Sequence, residues 1–161
     1  MVATYEGLER QIEASQIIQA LKVHLPDILQ GRPVLLAYAY GSVAADTMTP
    51  FSDVDIALVL SDESLPPREQ LRLQLQVSVE LTHAGIAEAD VRIINQAPLV
   101  IRGQVACQGI LLYSRDEAAR VEFETRTRDE YFDYQPIARR LREAFFADLR
   151  QRGLRGQPRE S

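Results

Sequence analysis

Several residue types are scarce in this sequence, and each scarcity closes off a class of function. There is one cysteine, Cys107, which excludes an internal disulfide and a metal centre built on several thiolates. There are two histidines, His24 and His83, at unrelated positions, so a histidine-based zinc site lacks a ligand set. Tryptophan is absent, and Lys22 is the single lysine, so arginine supplies nearly all the positive charge. The guanidinium fork suits carboxylates and phosphates, and a compositional bias of the genome gives the same excess. Positive charge is outnumbered, 18 Lys and Arg against 23 Asp and Glu, for a net −5. That balance argues against broad non-specific nucleic-acid binding, which needs a basic field. No apolar run approaches the ~20 residues that span a bilayer. The N-terminus lacks the charged-then-apolar pattern of a secretory leader. The expectation is a cytoplasmic protein with no membrane partner and no direct nucleic-acid partner.

What is present suits one α/β domain with a helical appendage. The chain has 161 residues, of which 46% are apolar, enough for a sizeable core. From about Tyr5 to Leu29, Leu8, Ile12, Ile17, Ile18, Leu21 and Leu25 recur at helical spacing, and Pro26 predicts a break near the end. PVLLAYAYGS, from Pro33, reads as a first strand buried on both faces. SVAAD, from Ser42, reads as one helical turn, and Thr49-Pro50 as the next turn. SDVDIALVL is a second strand. A helix from Pro66-Pro67 to His83 is predicted to bury Leu71, Leu75, Val79 and Leu81, with Gly85 as its stop. ADVRIIN is a third strand, a helix runs from Pro98 through Cys107, and ILLY after Gly109 is a fourth strand. From Asp116 to about Arg152 the pattern is helical, with Pro136 as an expected break. The fold class is therefore α/β (α+β), a small mixed sheet flanked by helices with a C-terminal helical extension.

One segment combines the features of a buried strand with chemistry. Tyr40 to Ile56 reads YGSVAADTMTPFSDVDI, in which Gly41-Ser42 precedes Asp53 and Asp55 by ten residues. On a strand, residues i and i+2 project together, so Asp53 and Asp55 share a side while Val54, Ile56, Leu58 and Leu60 take the other. Two neighbouring carboxylates need a shared proton, an arginine or a divalent cation. Mg²⁺ typically takes one or two carboxylates and completes its shell with water and phosphates. Gly41 permits positive φ and close backbone approach. The backbone N–H groups at a helix start, with the Ser42 hydroxyl, suit phosphate.

Gly41, Ser42, ten residues and Asp53-x-Asp55 resemble the signature of the DNA polymerase beta-like nucleotidyltransferase superfamily. The surrounding GSVAADTMTPFSDVDIALVL resembles the minimal nucleotidyltransferases. The later GILLYSRDEAARVEFETRTRDEYFDY resembles the MNT-type antitoxins of HEPN–MNT toxin–antitoxin pairs. The resemblance covers roughly Val34 to Tyr134. It implies a nucleotidyltransferase fold with a single domain over 1–152. The catalytic core would lie at about 30–113 and C-terminal helices at 116–152, followed by a disordered tail at 153–161. It implies that Gly41 and Ser42 hold the triphosphate of ATP and that Asp53 and Asp55 ligate two Mg²⁺ ions. Asp90, in the third strand, would ligate one of them and help deprotonate the acceptor hydroxyl. The implied acceptor is a tyrosine of a HEPN toxin, a ribonuclease silenced by AMPylation. The chain departs from the family at GSVAAD, where many relatives carry GSRARG. Val43 and Ala45 bring no positive charge, and Asp46 brings a negative one near the proposed phosphates.

Other conspicuous residues have plainer readings. Thr49 and Ser52 suit a turn, and Asp62 and Glu63 a solvated loop. His83 suits a helix C-terminus, and His24 is read as an ordinary helix residue likewise. Cys107 suits a small core position, and Tyr38 and Tyr40 suit core packing beside the site. Arg92, two residues after Asp90, could neutralise the carboxylates or touch phosphate, or lie free at an edge. Arg126, Arg128, Arg139, Arg140 and Arg142 suit a solvated helical face. Phe123, Tyr131, Phe132, Tyr134, Phe145 and Phe146 either close the core or face a partner. Three functional classes stand: an enzyme that adenylylates a partner's tyrosine, an antitoxin that works by covering its toxin, and an adenylyltransferase for an antibiotic-like small molecule. Little chain follows Tyr113 for the substrate-binding helical domain that the third class usually carries.

Overall fold

The computed structural model describes residues 2–45, 47–49, 52–86 and 88–152, with side chains from residue 13 onward. Asp46 and the expected tail at 153–161 lie outside the described residues. In chain order the elements are α1 (Val2–Leu29), β1 (Val34–Tyr40), β2 (Val54–Leu60), α2 (Pro67–His83), β3 (Ala89–Ile93), α3 (Leu99–Gln108), β4 (Ile110–Ser114) and α4 (Glu117–Arg152). The sheet order is β3-β2-β1-β4. β1 pairs antiparallel with both β2 and β4, and β2 pairs parallel with β3. The parallel pair needs a crossover, and α2 provides it. This mixed sheet flanked by helices, with a long C-terminal helix, is the α/β (α+β) architecture expected.

Alternation along β1 and β2 builds a core on each sheet face. Ala37, Ala39, Val54, Ile56, Leu58 and Leu60 pack with Leu21, Leu25, Leu73, Val77 and Leu81 from α1 and α2. Leu36, Tyr38, Tyr40, Ala57 and Val59 pack on the other face with Val105 of α3 and, at its edge, Phe123 of α4. No helix among the described residues is long and apolar enough to cross a membrane.

Neither proline breaks its helix. Leu21, Leu25 and Leu29, four residues apart, are all fully buried, while Pro26 faces solvent. Packing on one side holds the turn, and the carbonyl that loses its N–H partner lies on the wet side. Pro136 is likewise exposed, and α4 runs unbroken for 36 residues.

The buried face of α2 also differs from expectation. Leu71, Leu75 and Val79 are exposed, whereas Leu73, Val77 and Leu81 are buried. Both are aliphatic rows at four-residue spacing, offset by two residues and so on opposite sides of the helix. Contacts to β3 select between them. Ser78 Oγ donates to the Ala89 carbonyl at 2.9 Å, and the Ile93 N–H donates to Gln74 Oε1 at 2.8 Å. Cys107 differs too: it is exposed, while its neighbours Val105 and Ala106 are buried.

A buried ionic knot fastens α4 to the sheet. The Tyr38 hydroxyl donates to Glu124 Oε1 at 3.0 Å. Arg120 and Arg128 flank the same carboxylate at 3.0 and 3.2 Å, and Arg128 Nε donates to the Ala106 carbonyl at 2.8 Å. Arg128, its side chain still 43% exposed as expected of a solvated face, is thus also a clamp between α3 and α4. Burial pushes the Tyr38 phenol well above its ordinary value, and the adjoining Glu124 adds to the effect.

Two predictions follow from this packing. Leu81→Ala should cost about 2–5 kcal/mol in urea unfolding, whereas Leu75→Ala should stay within about 0.5 kcal/mol; equal costs would place the α2 face wrongly. Second, ultraviolet titration of the folded protein should show Tyr38 keeping its proton after exposed tyrosines ionise. Its folded pKa lies above the unfolded value of 10.0, so the stabilisation is full below that pH and is lost as pH rises through the folded pKa. In Tyr38→Phe this alkaline loss should shrink; an unchanged profile would deny Tyr38 the effect.

Candidate active site

Three strands end together at the conspicuous segment. In the sheet register, Tyr40 of β1 stands opposite Asp55 of β2, and Asp55 opposite Asp90 of β3. Paired residues project to the same side, so Asp55 and Asp90 share the α3 face with Tyr40. β2 begins at Val54, so Asp53 lies one residue ahead of the strand, exposed, rather than within its alternation. Its charge still reaches Asp55. The Asp55 carboxyl is held above the usual carboxylate range, chiefly by burial and then by the negative charge of Asp90, with Asp53 adding to it and Arg92 opposing. Burial, and then Asp55, likewise raise the Tyr40 phenol.

Gly41 is required here twice over. Its φ is +69°, in the region that favours glycine. A Cβ at this position would stand 2.5 Å from Asp55 Oδ2, so no other residue lets the backbone pass this close to the carboxylate. The chain then turns. The Ala45 N–H donates to the Gly41 carbonyl and the Thr47 N–H to the Ser42 carbonyl, both at 3.0 Å. This is the expected helical turn, although it does not extend into a helix. Val43, at the position where relatives place arginine, is 3% exposed in the core with Met48, so it does not face the carboxylates at all.

Arg92 is not free. Its Nη2 and Nε donate to Asp90 Oδ2 at 2.7 and 3.0 Å. Both bonds fall on one oxygen, so Oδ1 of Asp90 is not engaged by this arginine. At the start of β3, Glu88 adopts φ +58° and its carbonyl accepts the Val54 N–H at 3.1 Å, pinning β2 and β3 where the carboxylates begin.

The donor set consists of hard oxygens, and the repulsion at Asp55 is only partly relieved by Arg92. Such a set suits Mg²⁺. Among the described residues, no three or more metal-type side chains converge into a ready-made cage. A cation that also binds water and phosphate does not need one.

A cleft of about 450 Å³ opens beside Gly41, lined by Tyr40, Gly41, Ala44, Ala45, Gln104 and Gln108. A second cavity, of about 260 Å³, lies at the opposite end of the sheet among Leu36, Val59, Asn95 and Phe123, away from the carboxylates. The structure brings Gly41, Asp55, Asp90 and Arg92 together with the charge of Asp53 nearby. Ser42 follows Gly41 in the turn, and Gln104 and Gln108, for which sequence reading held no expectation, line the cleft beside them. The signal available was two glutamines four residues apart, just before the strand that pairs with β1.

Residues 24–118, more than half of the chain, match the family model for polymerase beta nucleotidyltransferases. No curated protein matches the chain. Among solved structures, a chain from a toxin–antitoxin complex with AMP-PNP is 23% identical, with a TM-score of 0.60 over 80% of this chain and 97% of that one. A chain of the MntA–HepT toxin–antitoxin is 22% identical, with a TM-score of 0.57 over 81% and 97%. A third, from the tri-AMPylated Shewanella oneidensis HEPN toxin in complex with MNT antitoxin, is 22% identical, with a TM-score of 0.58 over 82% and 98%. At these identities the likeness is one of fold. The family match is broader in meaning, since it runs from the end of α1 through β4 and takes in Gly41, Ser42, Asp53, Asp55 and Asp90: the chain belongs to the polymerase beta nucleotidyltransferase family.

Proposed function

We propose that this chain is an antitoxin that transfers AMP from ATP to a tyrosine hydroxyl of a HEPN-family toxin. The observation that carries the reading is the convergence of Asp55 and Asp90 on adjacent strands against Gly41, beside an open cleft. The family supports nucleotidyl transfer. The acceptor and nucleotide are supported by the company that fold neighbours keep, a complex with AMP-PNP and a tri-AMPylated HEPN toxin with its MNT antitoxin.

Asp53, Asp55 and Asp90 would hold two Mg²⁺ ions, which supply charge stabilisation for the attacking and leaving oxygens when bound. The chain's own groups do the rest. Gly41 lets the nucleotide lie against the strand end, and the turn after Ser42 offers backbone N–H groups to phosphate. The Oδ1 atom of Asp90, free of Arg92, accepts the proton of the acceptor hydroxyl. The acceptor oxygen bonds to the α-phosphorus, the bond from that phosphorus to the bridging oxygen breaks, and pyrophosphate leaves with the electron pair. Arg92 keeps Asp90 aimed into the site.

A protein acceptor needs a docking surface, and α4 offers one. From Phe132 to Arg152 every residue except Ala138 is exposed. Tyr134, Ile137, Leu141, Phe145 and Leu149 recur at three- and four-residue spacing, so they form one apolar row. Arg142 edges it. Such a row fits a groove by helix-in-groove recognition.

Intact mass spectrometry of the HEPN partner with ATP and Mg²⁺ tests the chemistry. Wild type should add one or more AMP units, and Asp53→Asn/Asp55→Asn none. A tight complex without added mass would favour the covering antitoxin. In metal-free protein, Asp55→Asn should raise Tm at neutral pH. The folded pKa of Asp55 lies above its unfolded value, so its charged form opposes folding once pH exceeds that folded pKa. The gain should fade in acid, where Asp55 is itself neutral. Leu141→Gln/Phe145→Gln should weaken capture of the partner at least about tenfold, on the order of 1.4 kcal/mol, with Tm unchanged because both side chains are exposed; undiminished capture would move the interface elsewhere.

A further inference from the structure

Clefts open on both faces of the sheet at the carboxylate end of its strands. The one beside Gly41 is lined by Tyr40 and by Gln104 and Gln108 of α3, on the face that α3 covers. Another, of about 490 Å³, opens on the face covered by α1 and α2. Ile17, Met48, Val54 and Ile86 give it an aliphatic floor, and all four pack in the core beneath α1 and α2. Asp53 lies between two of its lining residues, Ser52 and Val54, which places the cleft at the carboxylate end. Two exposed carboxylates edge it, Glu13 of α1 and Glu88 just ahead of β3. Among the described residues its lining holds no positively charged side chain. Glu13 and Glu88 lie outside the set of Asp53, Asp55 and Asp90, so loading that set with metal leaves both charges in place.

In-line displacement needs the attacking and departing oxygens on opposite sides of the α-phosphorus. A nucleotide entering from one cleft and an acceptor entering from the other meet that need at the strand ends. We propose that the cleft between α1 and the β2 start receives a cationic side chain, arginine or lysine, that the acceptor protein carries beside its acceptor tyrosine. The inference rests on the reading of the site as a protein adenylyltransferase centre, and it names a feature of that centre's substrate. The apolar stem of such a residue covers the aliphatic floor while its charged head meets Glu13 and Glu88. A floor of this kind edged by one sign of charge selects a basic segment and turns away an acidic one.

The test follows AMP transfer from ATP to the HEPN partner by the full chain with Mg²⁺. Glu13→Gln/Glu88→Gln should raise KM for the partner about threefold to tenfold, with kcat and KM for ATP unchanged. The difference should shrink as salt is raised, because both carboxylates are exposed. Glu13→Arg/Glu88→Arg, which repels the same cation, should raise KM for the partner further. Replacing the partner's basic residues nearest its modified tyrosine with glutamine should reproduce the effect in wild type and add little to Glu13→Gln/Glu88→Gln. An unchanged KM for the partner would overturn the proposal while leaving the adenylyltransferase reading intact. An equal rise in KM for ATP would assign the two carboxylates to the nucleotide and metal, and would overturn it as well. Failure of wild type to add AMP to the partner would overturn both. The two glutamates are exposed, so folding is not at risk, and unchanged Tm confirms that the variants report docking.

Discussion

Everything at the active end of this protein depends on the alignment of three strand ends, with Tyr40, Asp55 and Asp90 side by side. The alignment is costly, because it seats Asp55 among like charges in a half-buried place. It persists because the strands that carry these residues are buried on both faces by helices. The apolar residues of β1 and β2 set the register, since a slip of one would turn every buried side chain outward. The carboxylates ride on that register without contributing to it. Two connections then follow. Parallel β2 and β3 require α2 as a crossover, and antiparallel β1 and β2 leave a loop that begins with Gly41. The glycine is the one residue that satisfies both the left-handed backbone and the approach to Asp55 Oδ2.

The far wall of the cleft is positioned from behind. α3 carries Gln104 and Gln108, and α4 packs against it so closely that a methyl at Gly103 would overlap the Tyr131 ring. Arg128 ties α4 to the α3 backbone at Ala106 and also reaches Glu124, which accepts from Tyr38 of β1. Strand, first helix and second helix are thereby joined through one buried carboxylate. A buried ion pair is weak evidence for net stability, since desolvation offsets much of the attraction. Its effect here is geometric. It ties β1, which carries Tyr40, to α3, which carries Gln104 and Gln108, and these residues line the cleft.

Much of this was legible in the sequence, and the failures share a cause. Element order, the strand cores, the glycine and the three aspartates follow from patterns confined to a few neighbouring residues. The errors arise where the deciding partner is distant in sequence. Pro26 reads as a breaker until Leu21, Leu25 and Leu29 are seen to be held by the sheet. The two aliphatic rows of α2 are equivalent until β3 supplies Ser78 and Gln74 with partners. Cys107 looks like a core residue by type, and only the docking of α3 turns it outward. Gln104 and Gln108 carry no local mark at all, because only the packing of α3 brings them to the cleft beside Gly41.

Of the two positions at which the resembled family pattern carries arginine, Val43 and Ala45, packing accounts for the first only; Ala45 is exposed. The turn between Gly41 and Thr47 closes with Val43 pointing into the core beside Met48, so that position is committed to burial. A guanidinium there would be desolvated. Among the described residues, the arginine that touches the carboxylates, Arg92, is already engaged by Asp90. Among the described residues the turn after Gly41 therefore brings backbone N–H groups and no side-chain cation to the cleft beside the strand ends, and the inward turn of Val43 is what leaves the first of its side-chain positions to the core.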